Sequence, residues 1–103
     1  MMSELDKLEE YLKENGYLYD RIDAYDDEKE YWYSLGLDRH QIIVYDGDGK
    51  RQWDVICQEG SYGYSDGLLE AMGSPIVKKS DCDTVVGHLC AYDVIRRLES
   101  GNG

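Results

Sequence analysis

Two β-forming runs joined by a short turn constrain the fold of this sequence most strongly. The run from Gln41 to Tyr45 and the run from Arg51 to Gln58 are rich in aliphatic and aromatic residues, which favour strands. Between them lies Asp46-Gly47-Asp48-Gly49, and Asp-Gly steps favour the turns that join neighbouring antiparallel strands. We therefore predict a β-hairpin, which needs further strands or helices to cover its apolar face.

Apolar residues at helical spacing predict a helix near each end of the chain. Residues 4–14 carry one apolar stripe, and Ser3 with Asp6 is typical of the capping box that begins such a helix. Residues 91–98 carry a second stripe, and Gly101 follows it as a stop signal. The stripe residues are Leu5, Leu8, Leu12, Ala91, Val94, Ile95 and Leu98.

The middle of the chain adds strands and one more helix. Strand patterns lie over residues 17–25, 31–33, 76–77 and 84–89. The pattern over residues 31–33 is equally typical of an aromatic turn. Residues 66–72 predict a short helix that Gly73-Ser74-Pro75 would end. The order is roughly αββ(β)αβα, which indicates a single α+β domain over residues 1–103. We expect a mostly antiparallel sheet of roughly three to five strands, with about three helices on one face.

Length and composition limit the class of protein. The 103 residues fit one domain, and 42% hydrophobic content is too high for a disordered acidic tail. No apolar run approaches the ~20 residues that cross a bilayer, and the first residues lack the basic and apolar regions of a signal peptide. Three cysteines imply no closed disulfide framework. We therefore expect a cytoplasmic protein that has no membrane partner and no cofactor.

The charge is strongly negative and unevenly distributed. The chain has 22 Asp and Glu against 11 Lys and Arg, a net charge of −11. Direct binding of nucleic acid or an anionic membrane requires clustered Lys and Arg, so this balance argues against both ligands. Residues 1–30 hold 11 of the acids and 4 of the bases, a net of −7. The acidity therefore belongs mainly to the first third of the chain, where tyrosines are interleaved with the acids.

One motif suggests hydrolase chemistry. Residues 63–67 match G-x-S-x-G, and Asp81 or Asp83 and then His88 follow in the order of an α/β-hydrolase triad. However, about seven residues separate Ser65 from the preceding strand, and this chain cannot build the parallel sheet that such a serine needs. We interpret Ser65 or Asp66 as the cap of the short helix.

The cysteines and histidines suggest a second chemistry. Cys57, Cys82, His88 and Cys90 could supply soft metal ligands, but their spacing matches no usual zinc motif, so we expect no metal. Cys90 occupies the predicted N-cap of the last helix, where a thiolate is stabilised, although Asp93 would oppose it.

Two further segments have simpler interpretations. Asp38-Arg39-His40 could bind an anion or orient a base, and we interpret it as a local salt-bridged turn. The glycines of residues 60–63 permit an irregular turn that displays Tyr62 and Tyr64. Tyrosine contributes contact area at low entropic cost, so these two tyrosines are candidate contact residues.

Two stretches carry a resemblance. DRHQIIVYDGDGKRQWDVICQEGSYGYSDGLLEAMG, residues 38–73, and GHLCAYDVIRRL, residues 87–98, resemble small uncharacterised proteins of phages and mobile elements in Gram-positive bacteria. Together they cover under half of the chain, and the resemblance implies no activity or catalytic residues. In size and charge the chain is also similar to acidic anti-CRISPR and other anti-defence inhibitors, many of which are non-enzymatic.

These observations lead to one functional hypothesis. We expect a non-enzymatic acidic binding protein, which occupies a basic nucleic-acid-binding surface of a host protein by imitating a phosphate backbone. A CRISPR effector or another nucleic-acid enzyme is the expected kind of partner. The candidate contact residues are Glu9, Glu10, Asp23, Asp26, Asp27, Glu28, Glu30, Tyr62 and Tyr64.

Two alternatives from other classes remain open. One is a small thiol- or serine-dependent enzyme, or a metal-binding protein, that uses Cys90 or Ser65 with His88. The other is an oligomeric accessory protein whose exposed tyrosines make self-contacts. The simplest interpretation of the acids is that they keep the protein soluble.

Overall fold

Five antiparallel strands, arranged side by side in chain order, form the sheet. The structure is a computed structural model and describes residues 2–24, 39–58, 61–78 and 84–101. The strands are β1 (Tyr19–Ala24), β2 (Arg39–Tyr45), β3 (Arg51–Ile56), β4 (Leu69–Met72) and β5 (Val85–Leu89). Two helices flank them in sequence, α1 (Glu4–Glu14) and α2 (Ala91–Gly101). A small single-domain α+β fold is thereby confirmed.

Helix α1 begins as its sequence predicts. The Ser3 hydroxyl accepts from the Asp6 N–H at 3.1 Å, and the Asp6 carboxylate accepts from the Ser3 N–H at 3.1 Å. This reciprocal capping box satisfies two backbone donors that the helix itself leaves unpaired. The three leucines of the stripe, Leu5, Leu8 and Leu12, are buried against the sheet.

The central hairpin of β2 and β3 also follows the prediction. The Asp46 carboxylate accepts from the N–H groups of Asp48 and Lys50, each at 2.9 Å, and Gly49 has φ of +79°. Such a turn reverses the chain so that the strands pair, with Ile42 opposite Val55. An aspartate that bonds backbone two residues ahead is the usual way in which Asp stabilises a tight turn.

One face of the sheet supports the core. Alternate residues of β2 and β3 point to this face, where paired residues such as Val44 and Trp53 are fully or almost fully buried. Both helices pack on the same face, and α2 contributes Ala91, Val94 and Leu98 to the same cluster. The helices therefore cover one face of the sheet, as predicted.

The predicted helix over residues 66–72 is wrong. A 3₁₀ turn spans Tyr64–Asp66, and residues 69–72 form strand β4. Leu69 and Ala71 are fully buried, whereas their neighbours in the strand are not, so the burial repeats every two residues. Pairing with β3 and β5 overrides the weak helix propensity of this segment.

Three smaller predictions fall differently. Residues 76–77 lie in a turn rather than a strand, with Ile76 fully buried. Neither Ser65 nor Asp66 caps a helix, because no side chain caps the 3₁₀ turn. Residues 31–33 lie outside the described residues. Within the described ranges there are two α-helices, not three.

Candidate functional site

A groove of about 640 Å³ opens between the start of α1, the ends of β1 to β3 and the loop that contains the 3₁₀ turn. This volume lies within the ~300–1,000 Å³ of ligand-binding pockets. The groove is lined by Ser3, Glu4, Leu5, Arg21, Asp23, His40, Cys57, Tyr64, Asp66, Gly67 and Leu68. Charged, aromatic and aliphatic side chains therefore share one concave surface.

Sheet register builds one wall of the groove. Asp23 on β1 pairs with His40 on β2. The Cys57 N–H donates to the His40 carbonyl at 2.9 Å, so Cys57 lies opposite His40 on the other side. Because directly paired residues share a face of the sheet, a carboxylate, an imidazole and a thiol form one row across three neighbouring segments.

Asp23 is held from two sides. Its carboxylate lies 2.8 Å from His40 Nδ1 and 3.0 Å from Arg21 Nε. Burial alone would raise the pKa of Asp23, but the bonds from His40 and Arg21 outweigh it and hold this pKa below its ordinary value. Arg39 and His40 lie in strand β2 rather than in the predicted local turn, and the carboxylate that pairs with His40 is Asp23 on β1. Asp38 lies outside the described residues.

Arg21 gathers three carboxylates. Its guanidinium lies 2.7 Å from Asp6, 3.1 Å from Glu9 and 3.0 Å from Asp23, and its side chain is 17% exposed. Two hydrogen bonds lower the pKa of Asp6: the larger effect comes from the Ser3 N–H and the smaller from the Arg21 side chain. We call Asp6, Glu9, Asp23 and Arg21 the acidic edge. One guanidinium cannot neutralise three carboxylates, so the acidic edge keeps a negative charge.

Glu4 connects the two helices at the end of the groove. Its carboxylate accepts from the Ala91 N–H at 2.7 Å and from the Lys7 ammonium at 2.9 Å. The bond from the Ala91 backbone lowers the pKa of Glu4 more than burial raises it. The carboxylate therefore stabilises the positive end of α2.

The predicted contact residues occupy different environments. Glu9 and Asp23 belong to the acidic edge, and Glu10 is exposed on α1. Tyr62 is 60% exposed, whereas Tyr64 is half-buried and lines the groove. The remaining four predicted contact residues lie outside the described residues: Asp26, Asp27, Glu28 and Glu30.

The alternative of a thiol-dependent enzyme requires Cys90 and His88 to act together, but the Cys90 thiol is hydrogen-bonded to Asp93. The Cys90 thiol donates to the Asp93 carboxylate at 3.2 Å, and the Cys90 N–H donates to the same oxygen at 3.1 Å. Cys90 directly precedes the first residue of α2, as predicted, and the bond from its backbone N–H lowers the pKa of Asp93. His88 is exposed, with φ of +57°, and strand β5, which contains it, ends at Leu89, before Cys90.

Ser65 lacks the geometry of a hydrolase nucleophile. It is exposed in the 3₁₀ turn, between Gly63 and Gly67, which both have positive φ. The turn leads into strand β4 of an antiparallel sheet, whereas a hydrolase elbow leads from a parallel strand into a helix.

The lining of the groove also includes a half-buried thiol. Burial raises the pKa of the Cys57 thiol, which keeps it neutral near pH 7. In the part of the chain that the structure describes, no group of three His, Cys, Asp or Glu side chains is arranged to bind a metal. The groove is a concave surface with fixed charges and an aromatic wall.

Sequence reasoning missed Arg21, Glu4 and Cys57 as parts of this site. The available signal was the alternation of Tyr19, Arg21 and Asp23 along β1. These residues share the face on which the helices lie, whereas Leu18 before the strand is 60% exposed. The charged side of β1, rather than an apolar side, therefore meets α1.

Comparison with known proteins adds no relative. No protein-family model matches the chain, and no curated protein or solved structure matches it significantly. None of the helices within residues 2–24, 39–58, 61–78 and 84–101 is long and apolar enough to cross a membrane. The charge and geometry of the acidic edge and the groove therefore carry the functional conclusion.

Proposed function

We propose that this protein is a non-enzymatic acidic binding protein that occupies a basic nucleic-acid-binding surface of a host protein. The observation that carries this proposal is the acidic edge, where three carboxylates meet one guanidinium. Fixed carboxylates of this kind present negative charge at defined positions, as a phosphate backbone does. The net charge of −11 adds long-range attraction towards a basic partner.

The order of the acidic edge favours recognition over simple solubility. Arg21 fixes the positions of Asp6, Glu9 and Asp23, and the Tyr19 hydroxyl donates to Glu9 at 3.0 Å. A solubilising carboxylate needs no partner, whereas a carboxylate held in place loses less entropy when it binds. Exposed acids outside this cluster, such as Glu10, extend the negative surface along α1.

The kind of partner follows from charge and from size. A small acidic protein of this type resembles anti-CRISPR and other anti-defence inhibitors, so a CRISPR effector or another nucleic-acid enzyme is the partner we propose. The protein would act in the cytoplasm by stoichiometric occupancy. The neutral Cys57 thiol and the carboxylate beside Cys90 support binding rather than catalysis.

The proposal is tested by affinity capture from the lysate of a Gram-positive host. The immobilised protein should retain a nucleic-acid enzyme at about 50 mM salt and release it at about 500 mM, because salt screens charge–charge attraction. Bound proteins are identified by mass spectrometry. A capture that is unchanged at high salt, or a blank at low salt, contradicts the proposal.

Charge-reversal variants locate the contact. Glu10→Lys should weaken binding of the captured enzyme about tenfold, and the combined reversal of Asp26, Asp27, Glu28 and Glu30 to lysine should abolish it. The matched control is Asp48→Lys, which makes the same charge change at an exposed position of the hairpin turn. If the control weakens binding as much as Glu10→Lys does, the first third of the chain is not the contact surface.

A further inference from the structure

The described lining of the groove carries more negative than positive charge. This lining includes the carboxylates of Glu4, Asp23 and Asp66 and the guanidinium of Arg21. Asp66 is exposed at the end of the 3₁₀ turn. The groove therefore attracts a cationic group rather than an anionic one.

Among the described lining residues the guanidinium belongs to Arg21, and carboxylates outside the groove neutralise it. Asp6 and Glu9 on α1 bind Arg21 at 2.7 and 3.1 Å, and neither of them lines the groove. Their charges offset the repulsion that Arg21 would exert on a bound cation. Lys7 offsets the charge of Glu4 in the same way, at 2.9 Å, so the exposed carboxylate of Asp66 carries the attraction for a cation at the mouth of the groove.

The walls of the groove suit a long side chain with an apolar stem. Leu5, Leu68 and the half-buried Cys57 provide apolar surface, and Tyr64 adds an aromatic ring. Arginine buries its methylene stem along such surface and stacks its planar guanidinium on aromatic rings. Lysine, which is more strongly hydrated, gains less from the same wall.

We propose that the groove receives an arginine side chain of the basic partner, with Tyr64 as the stacking surface and Asp66 as the acceptor at its mouth. This inference rests on the proposed function and adds the group that the partner inserts. It assigns Tyr64, predicted as a contact residue, to a pocket rather than to an exposed surface. The volume of about 640 Å³ accommodates the side chain together with part of the peptide that carries it.

The probe for this proposal is a capped hexa-arginine peptide, with capped hexa-lysine as the comparison. Isothermal titration should give tighter binding of hexa-arginine than of hexa-lysine. Asp66→Lys should weaken hexa-arginine binding at least about fivefold more than Asp48→Lys does, although both variants change the net charge equally. Tyr64→Ala should weaken it about three- to tenfold, and Tyr64→Phe, which keeps the ring, should not.

Alkylation of Cys57 reports directly on the groove. In a Cys82→Ser, Cys90→Ser background, saturating hexa-arginine should slow the reaction of Cys57 with iodoacetamide at least about threefold, because Cys57 lines the groove. Circular dichroism confirms that each variant folds. Equal effects of Asp66→Lys and Asp48→Lys, or unchanged alkylation of Cys57, would overturn the arginine pocket. Neither result affects the capture of a partner by the acidic surface of the first third of the chain, which Glu10→Lys tests separately.

Discussion

Glu4 accepts a hydrogen bond from the backbone N–H of Ala91 at 2.7 Å and so joins the first turn of α1 to the first turn of α2. The N-terminus of α2 also receives Asp93, which accepts from the Cys90 N–H at 3.1 Å. Two carboxylates, one from each end of the chain, therefore stabilise the same helix terminus. This contact fixes one end of the groove.

Removal of this link should cost measurable stability. We expect Glu4→Ala to lower the free energy of unfolding by about 1–2 kcal/mol, because a buried backbone donor loses a charged acceptor. Urea denaturation measures the change. Glu10→Ala, an exposed position on the same helix, should stay within about 0.5 kcal/mol of the wild type. Equal effects of the two variants would show that the Ala91 contact contributes nothing.

Arg21 should stabilise the folded protein because three carboxylates surround it. In Arg21→Met, Asp6, Glu9 and Asp23 lose their shared counter-charge, and we expect a loss of about 1–3 kcal/mol, between the values for exposed and for buried ion pairs. The loss should shrink at high salt, which screens repulsion among the carboxylates. Lys50→Met, at an exposed position of the hairpin turn, is the control. A loss that does not depend on salt would contradict the electrostatic account.

Stability should fall at acid pH. In the described part of the chain, four carboxylates have a pKa below the ordinary value of 3.8 for Asp or 4.5 for Glu, namely those of Glu4, Asp6, Asp23 and Asp93. A lowered pKa in the folded state means that the stabilisation is present above the ordinary value and is lost as pH falls through the lowered one. We expect the free energy of unfolding to decrease as pH falls below about 4.5, as measured by urea denaturation at a series of pH values. The difference between wild type and Glu4→Gln should shrink over the same range, and a constant difference would argue against the role of Glu4.

Gly73, which directly follows strand β4, should tolerate no side chain. Gly73 has φ of +100°, and a Cβ there would lie 2.5 Å from the Gln52 carbonyl oxygen and 2.8 Å from Trp53 Cα. Gly73→Ala should therefore cost about 2 kcal/mol or more in thermal or urea unfolding. Gly47→Ala, where a Cβ meets nothing within 4 Å, is the matched control. If both variants unfold alike, the close approach of Gly73 to β3 is not a constraint.

The elements that the sequence predicts well are those with strong local signals. Helix α1 has a capping box and a leucine stripe, and the β2–β3 hairpin has an aspartate-glycine turn between β-forming runs. Strand β4 has no such local signal, because Leu69 and Ala71 are specified by their partners on β3 and β5. For such a short segment, pairing with neighbouring strands determines whether a helix or a strand forms, and the local sequence alone does not.

The candidate site depends on strand register more than on local sequence. Asp23 and His40 are 17 residues apart, and only the pairing of β1 with β2 brings them together. A register shift of one residue would move either side chain to the opposite face. Charge asymmetry indicated the acidic first third of the chain, but it could not indicate that Arg21 gathers three of those acids.

The proposed function requires that this protein compete with nucleic acid for a basic surface. The most direct measurement is a competition assay with the nucleic-acid enzyme captured from lysate, in which labelled nucleic acid is displaced at low salt. We predict stoichiometric displacement by the wild type, and an apparent affinity reduced about tenfold for Glu10→Lys but not for Asp48→Lys. Simultaneous binding of the protein and the nucleic acid to the same enzyme would contradict the account.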